Sequence, residues 1–134
     1  MLGSVPLLII PFILFNVGLA GAFGASTGDI WAMELLSVPM MSGGVWTMTL
    51  GDMLIVVALV LFFVEVVKAT RTSTTSVIDH LLSTFVFVAF LVEFLLVQGA
   101  AHSVFFTLMV IALIDVLAGF SVSIKSAGRD VNFG

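Results

Sequence analysis

Four long apolar stretches, separated by short polar or mixed segments, dominate the pattern along the chain. The first runs from about Leu2 to Gly24 and is interrupted by Pro6 and Pro11. The second, about Gly51–Thr70, carries an unbroken apolar run from Leu54 to Val64, broken by Glu65. The third runs from about Val77 to Val97 and the fourth from about Ser103 to Ile124. Each is close to the ~20 residues a helix needs to cross the hydrocarbon core. Membrane β-strands would need alternation over ~10 residues, and these runs are apolar on all sides. The pattern predicts an all-α, polytopic membrane protein: one four-helix transmembrane domain over residues 1–134, with spans near 2–24, 51–70, 77–97 and 103–124.

The segment between the first two spans is too long for a simple turn. Ile30-Trp31-Ala32-Met33-Glu34-Leu35-Leu36 predicts a short interfacial helix, capped through Ser26-x-x-Asp29 and ended by Pro39 and Gly43-Gly44. This connection then either anchors the outer face as an interfacial clip or offers Met33, Met40 and Met41 as a flexible lid or docking surface. Within the first span, Gly18 and Ala22 form a small-residue face for close helix packing, and Pro11 predicts a kink. Ala20-Gly21-Ala22 also fits a signal-peptide cleavage pattern. The uncharged Met1–Ser4 segment and the two prolines favour an uncleaved span.

Composition fixes the solvent. Hydrophobic residues make up 61% of the chain, well above the ~45–50% of soluble domains, so the lipid bilayer is the expected surroundings. The formal net charge of −4 leaves no basic patch for nucleic acid. Cysteine is absent, which excludes disulfides and thiolate chemistry. Only four basic residues are present: Lys68 and Arg71 between spans two and three, Lys125 and Arg129 after span four. Their distribution predicts that those segments and both termini are cytoplasmic. Lys68, Arg71 and Lys125 then anchor the inner interface, and Trp31 and Trp46 the outer one. A short chain without a eukaryotic targeting signature suggests a bacterial cytoplasmic membrane.

The candidate chemistry lies in three carboxylates within apolar runs: Glu65, Glu93 and Asp115. Ionisable groups at membrane depth are costly and mark candidate functional or assembly sites. Glu65 is three residues before Lys68, so the two share a helix face and predict an interfacial ion pair, with Lys68 extending to water. Glu93 lies near the outer end of its span, within reach of headgroups or of a polar group in the outer connection. Asp115 is deep, ~15 Å from either end of its helix. Its stripe mates Ala112, Gly119 and Ser123 predict that it points into protein, either as a hydrogen-bonded packing contact or as a proton or cation site. Counted from the inner boundary, Glu65, Asp115 and Glu93 fall at about 5, 15 and 23 Å, a possible ladder with Asn16, Ser83, Thr84 and Thr107 as polar steps. Asp52 and Asp79 have the spacing of helix-start carboxylates, with Thr49 or Gly51 as the N-cap for the first and Ser76 as the capping partner of the second.

Other chemistry is weaker. His80 and His102 fall at opposite boundaries, so they cannot jointly hold a haem. Neither has a partner that spacing nominates for nucleophilic catalysis. No enzyme activity, metal or cofactor is expected. The sequence favours a structural or accessory subunit that self-associates or joins other membrane-protein subunits. The alternative is an oligomeric proton or small-cation channel or transporter using the intramembrane carboxylates.

Overall fold

The computed structural model describes residues 5–21, 29–69 and 74–133, and of residues 69, 74–77 and 122–133 the backbone alone. Its helices are α1 (Ile9–Leu19), α2 (Leu50–Ala69), α3 (Thr74–Leu96) and α4 (Ser103–Phe133). Two strands, β1 (Glu34–Pro39) and β2 (Val45–Thr49), lie between α1 and α2. Single 3-10 turns at Ile30–Ala32 and Gln98–Ala100 complete the order. Three segments are long and apolar enough to cross a bilayer: Leu50–Lys68, Ile78–Leu96 and Ser103–Ser121. These correspond to the predicted second, third and fourth spans, with α4 continuing beyond the expected end.

Of the first predicted span, residues 5–21 are described, and only part of them is helical. Helix α1 has 11 residues, a rise of ~16 Å against a hydrocarbon core of ~30 Å. Pro6 precedes the helix and disfavours helical geometry at the residue before it. Pro11 is the third helical residue, inside the first turn, where no intrahelical acceptor awaits its missing N–H. It therefore helps to open the helix rather than kinking it. The last turn closes on Asn16 and Gly18, whose carbonyls accept from Ala20 and Gly21 N–H at 3.0 Å each. Gly18 is buried, while Ala22 and Ser26 lie outside the described residues.

The expected interfacial helix is replaced by a β-hairpin. Asp29 does cap a helical turn, accepting from Trp31 N–H at 3.1 Å, but only Ile30–Ala32 follow it. From Glu34 the chain is extended, and Leu36, Ser37, Val38 and Pro39 pair antiparallel with Met48, Thr47, Trp46 and Val45. Valine, threonine and tryptophan suit a pleated surface, and Pro39 stops the first strand beside the turn. The turn is closed by Met40 N–H donating to Gly44 O at 2.7 Å and Gly43 N–H donating to Met40 O at 3.0 Å. Gly43 takes φ +93°, a conformation that glycine adopts without a Cβ clash.

At the start of α2 the sequence reading holds. Thr49 Oγ1 accepts from Asp52 N–H at 3.2 Å, and Asp52 Oδ2 accepts from Thr49 N–H at 3.1 Å, a reciprocal capping box. Helix α4 packs against both α2 and α3, with α1 against α2 and α4. The core is aromatic: Phe15, Phe90 and Phe105 are fully buried. Ring centroids of Phe12 and Phe90 are 4.9 Å apart, those of Phe15 and Phe105 4.7 Å, and those of Phe90 and Phe105 5.2 Å. Trp31 belongs to this core instead of anchoring the interface. It is 4% exposed and stacks on Phe15 at 4.6 Å with the planes 9° apart.

Candidate functional site

Burial gathers the polar side chains into one group at the Lys68 end of the bundle. Glu65 and Lys68 are one turn apart on α2, as their spacing predicts, and pair at 3.2 Å. The pair is not a solvated interfacial one, because Glu65 is only 2% exposed. Its Oε1 also accepts from the N–H of Leu7, at 2.6 Å, in the segment leading into α1. The Lys68 side chain is 15% exposed. Its Nζ donates to Val5 O at 3.0 Å and lies 3.6 Å from Asp79 Oδ1 on α3. One ammonium thus ties α2 to α3 and to the leading segment of α1.

Asp79 is a site residue whose position the sequence reading missed. Helix α3 begins at Thr74, so Ser76 is already inside it and is not its cap. Asp79 is 3% exposed and faces Lys68. Ser83, one turn further along α3, is buried as well. It lies within interaction range of Asp115 on α4, although its Oγ completes no well-formed hydrogen bond among the described residues. Asp115 is 6% exposed and within electrostatic reach of Glu65, Asp79 and Lys68. It points into protein, as its small-residue stripe predicts. Glu65 and Asp79 therefore share one lysine, with Asp115 beside them, in a region that four segments enclose.

The stripe itself serves the chain internally. Ala112 is buried in the core. A Cβ on Gly119 would stand 2.7 Å from His80 Cδ2 and 2.9 Å from its Nε2, so the absent side chain leaves room for the imidazole of α3. The His80 ring also meets Phe120, with centroids 5.8 Å apart. The side chains of Ser123 and Lys125, and all of Arg71, lie outside the described residues.

The three predicted carboxylates do not form one ladder. Glu93 lies ten residues after Ser83 on α3, a separation of ~15 Å. Val86 and Phe90 are the buried side chains of α3 between them, and Phe90 belongs to the aromatic core with Phe12 and Phe105. Among the described residues Glu93 interacts with Asn16 of α1, and the Asn16 amide also donates to Phe12 O at 2.9 Å. No group of three His, Cys, Asp or Glu side chains among the described residues is placed to hold a metal ion.

At the opposite end of the bundle, His102 has a partner that spacing did not nominate. Its Nδ1 accepts from Val104 N–H at 3.0 Å, capping α4. The other nitrogen, Nε2, then carries the proton and donates to Asp29 Oδ2 at 2.8 Å, across 73 residues of sequence. This hydrogen bond holds the Asp29 carboxyl below its ordinary range against the opposing effect of burial. Stabilisation from a depressed carboxylate is in place above the ordinary carboxylate range, and it is lost as pH falls through the lowered value. His102→Ala is expected to cost about 1 kcal/mol, as for a lost helix cap. Hydrogen exchange should be faster at the Val104 amide; unchanged protection there would show that the cap is not formed.

Three helices long and apolar enough to cross a bilayer place the chain among multi-pass helical membrane proteins. Comparison with protein-family models, with curated proteins and with solved structures found no match in any of the three.

Proposed function

We propose that this chain is a structural or accessory subunit of a bacterial cytoplasmic membrane, working by self-association or within a larger membrane complex. It would cross four times with both termini cytoplasmic. In this topology α1 and its flanking residues make the first crossing, and the basic residues face inward. One observation carries the reading. The buried ionisable side chains bind the chain's own elements together, and an aromatic layer parts Glu93 from Glu65, Asp79 and Asp115. Such an arrangement holds helices in register, and among the described residues the aromatic layer interrupts the polar groups along the bundle. The outward surfaces of the helices stay apolar, with Phe63, Phe85, Leu95 and Leu117 exposed to lipid or to other subunits.

A second reading, an oligomeric proton or cation channel, draws support from three buried carboxylates at one end of the bundle, two of them paired with Lys68. Native mass spectrometry from mild detergent separates the two, combined with a pH-gradient assay in proteoliposomes. The subunit reading expects a defined oligomer or a co-purifying membrane protein, and no proton flux. A lone monomer, or a flux abolished by Asp115→Asn, overturns it.

A further inference from the structure

The hairpin that replaces the interfacial helix has two unlike faces. In an antiparallel pair, directly opposed residues share a face and successive pairs alternate. Leu36 with Met48 and Val38 with Trp46 therefore make one face, and it is wholly apolar. Ser37 with Thr47 lies on the other, the two hydroxyls 2.9 Å apart, followed by Pro39 with Val45 towards the turn. The described residues leave most of the apolar face uncovered: Leu36 and Val38 are exposed, Trp46 is 46% exposed and Met48 is half-buried. The only charged side chain in the two strands, Glu34, lies at their base opposite Thr49.

Position limits what can cover this face. Strand β2 ends at Thr49 and α2 begins at Leu50, without an intervening residue. The Leu50 N–H donates to Met33 O at 2.8 Å, which ties the base of β1 to the same helix start. The hairpin is thereby held at the level where a bilayer-spanning helix leaves the hydrocarbon. Each strand of a two-stranded sheet also keeps one edge of unpaired N–H and C=O groups, which the hydrocarbon core cannot satisfy. In bulk water an isolated two-stranded hairpin is marginal. A layer that solvates the edges while accepting an apolar face is the membrane interface, where indole rings are favoured.

We propose that the β1–β2 hairpin lies in the headgroup layer next to the α2 N-terminus, with Leu36, Val38, Trp46 and Met48 turned towards the acyl chains. This occupant is lipid, independent of any protein partner of the helices. It gives the connection the anchoring role expected of a helix by a different structure.

The chain has two tryptophans and no cysteine, so a single reporter can be placed. Full-length Trp31→Phe protein, reconstituted in phosphatidylcholine–phosphatidylglycerol vesicles, leaves Trp46 as the only indole. Its emission is expected to be blue-shifted and mostly lost to lipids brominated near the headgroup end of the acyl chain. Aqueous iodide should have little effect. Quenching by iodide but not by brominated lipid would place the face in water. Shielding from both would mean that a protein covers it, a second copy or a different chain, and either result overturns the proposal. Because Trp31 stacks in the core, a second variant keeps the test open. Trp46→Cys, spin-labelled in the otherwise cysteine-free chain, should be more accessible to oxygen than to a water-soluble nickel chelate. The reverse order would again exclude lipid.

Discussion

Lys68→Met is expected to destabilise the folded protein by about 3–5 kcal/mol, the range for removing one partner of a buried ion pair. The size follows from what the ammonium holds. Glu65 and Asp79 are both buried, and among the described residues Lys68 is the cation within 4 Å of each. Methionine keeps most of the stem and removes only the charge and its hydrogen bonds, including the one to Val5 O. Two carboxylates would then face a low-dielectric interior without compensation, and the leading segment of α1 would lose one of its two ties to α2. The other is Leu7 N–H to Glu65. Reversible unfolding in mixed detergent micelles gives the loss directly. Adding Glu65→Gln should recover part of it, since the neutral amide oxygen can still accept from Leu7. A loss below about 1 kcal/mol, the value for exposed pairs, would show that water reaches the group and that Lys68 does not organise it.

The long apolar runs made α2, α3 and α4 legible, because a bilayer-spanning helix is recorded in nothing more than uninterrupted apolar length. The first span was only partly legible, because hydropathy does not set helix ends: its described helix is Ile9–Leu19, with Pro6 just before it, and residues 22–24 lie outside the described residues. Residues Ile30–Leu36 misled for another reason. A short apolar string suits helix or strand alike, and the partner that decides it, Val45–Thr49, is not adjacent in sequence. Trp31 looked interfacial by composition but is claimed by Phe15 on α1.

For the site, the inward-facing position of Asp115 and the Glu65–Lys68 pairing could be read from spacing on a single helix. The grouping of Glu65, Asp79 and Asp115 could not. It depends on how each helix is rotated about its axis, which inter-helix side-chain packing sets and periodicity within one helix does not. Asp79 was obscured because a carboxylate near a helix start has a local explanation ready. His102 with Asp29, and Glu93 with Asn16, are contacts between distant segments. A histidine immediately before a helix start was the one available signal for the cap on α4.

Gly119 is where the sign of an effect tests the packing most sharply. In an exposed helix interior, replacing glycine with alanine gains roughly 0.8–1 kcal/mol from helix propensity. Here the added methyl would stand 2.7–2.9 Å from the His80 ring, inside van der Waals contact. The ring has little room to retreat, being buried and in contact with Phe120. Gly119→Ala should therefore destabilise, and Gly119→Leu should do so by about 1–3 kcal/mol or more, as overpacked cores do. Since the glycine accommodates a histidine of its own chain, the loss should be independent of protein concentration in detergent. A glycine serving contacts between copies would give a concentration-dependent loss instead. Adding His80→Ala removes the obstructing ring, so Gly119→Ala should cost much less in that background than in the wild type. If the two substitutions instead prove additive, α3 and α4 do not meet at this point, and the placement of Asp115 beside Ser83 one turn away falls with it.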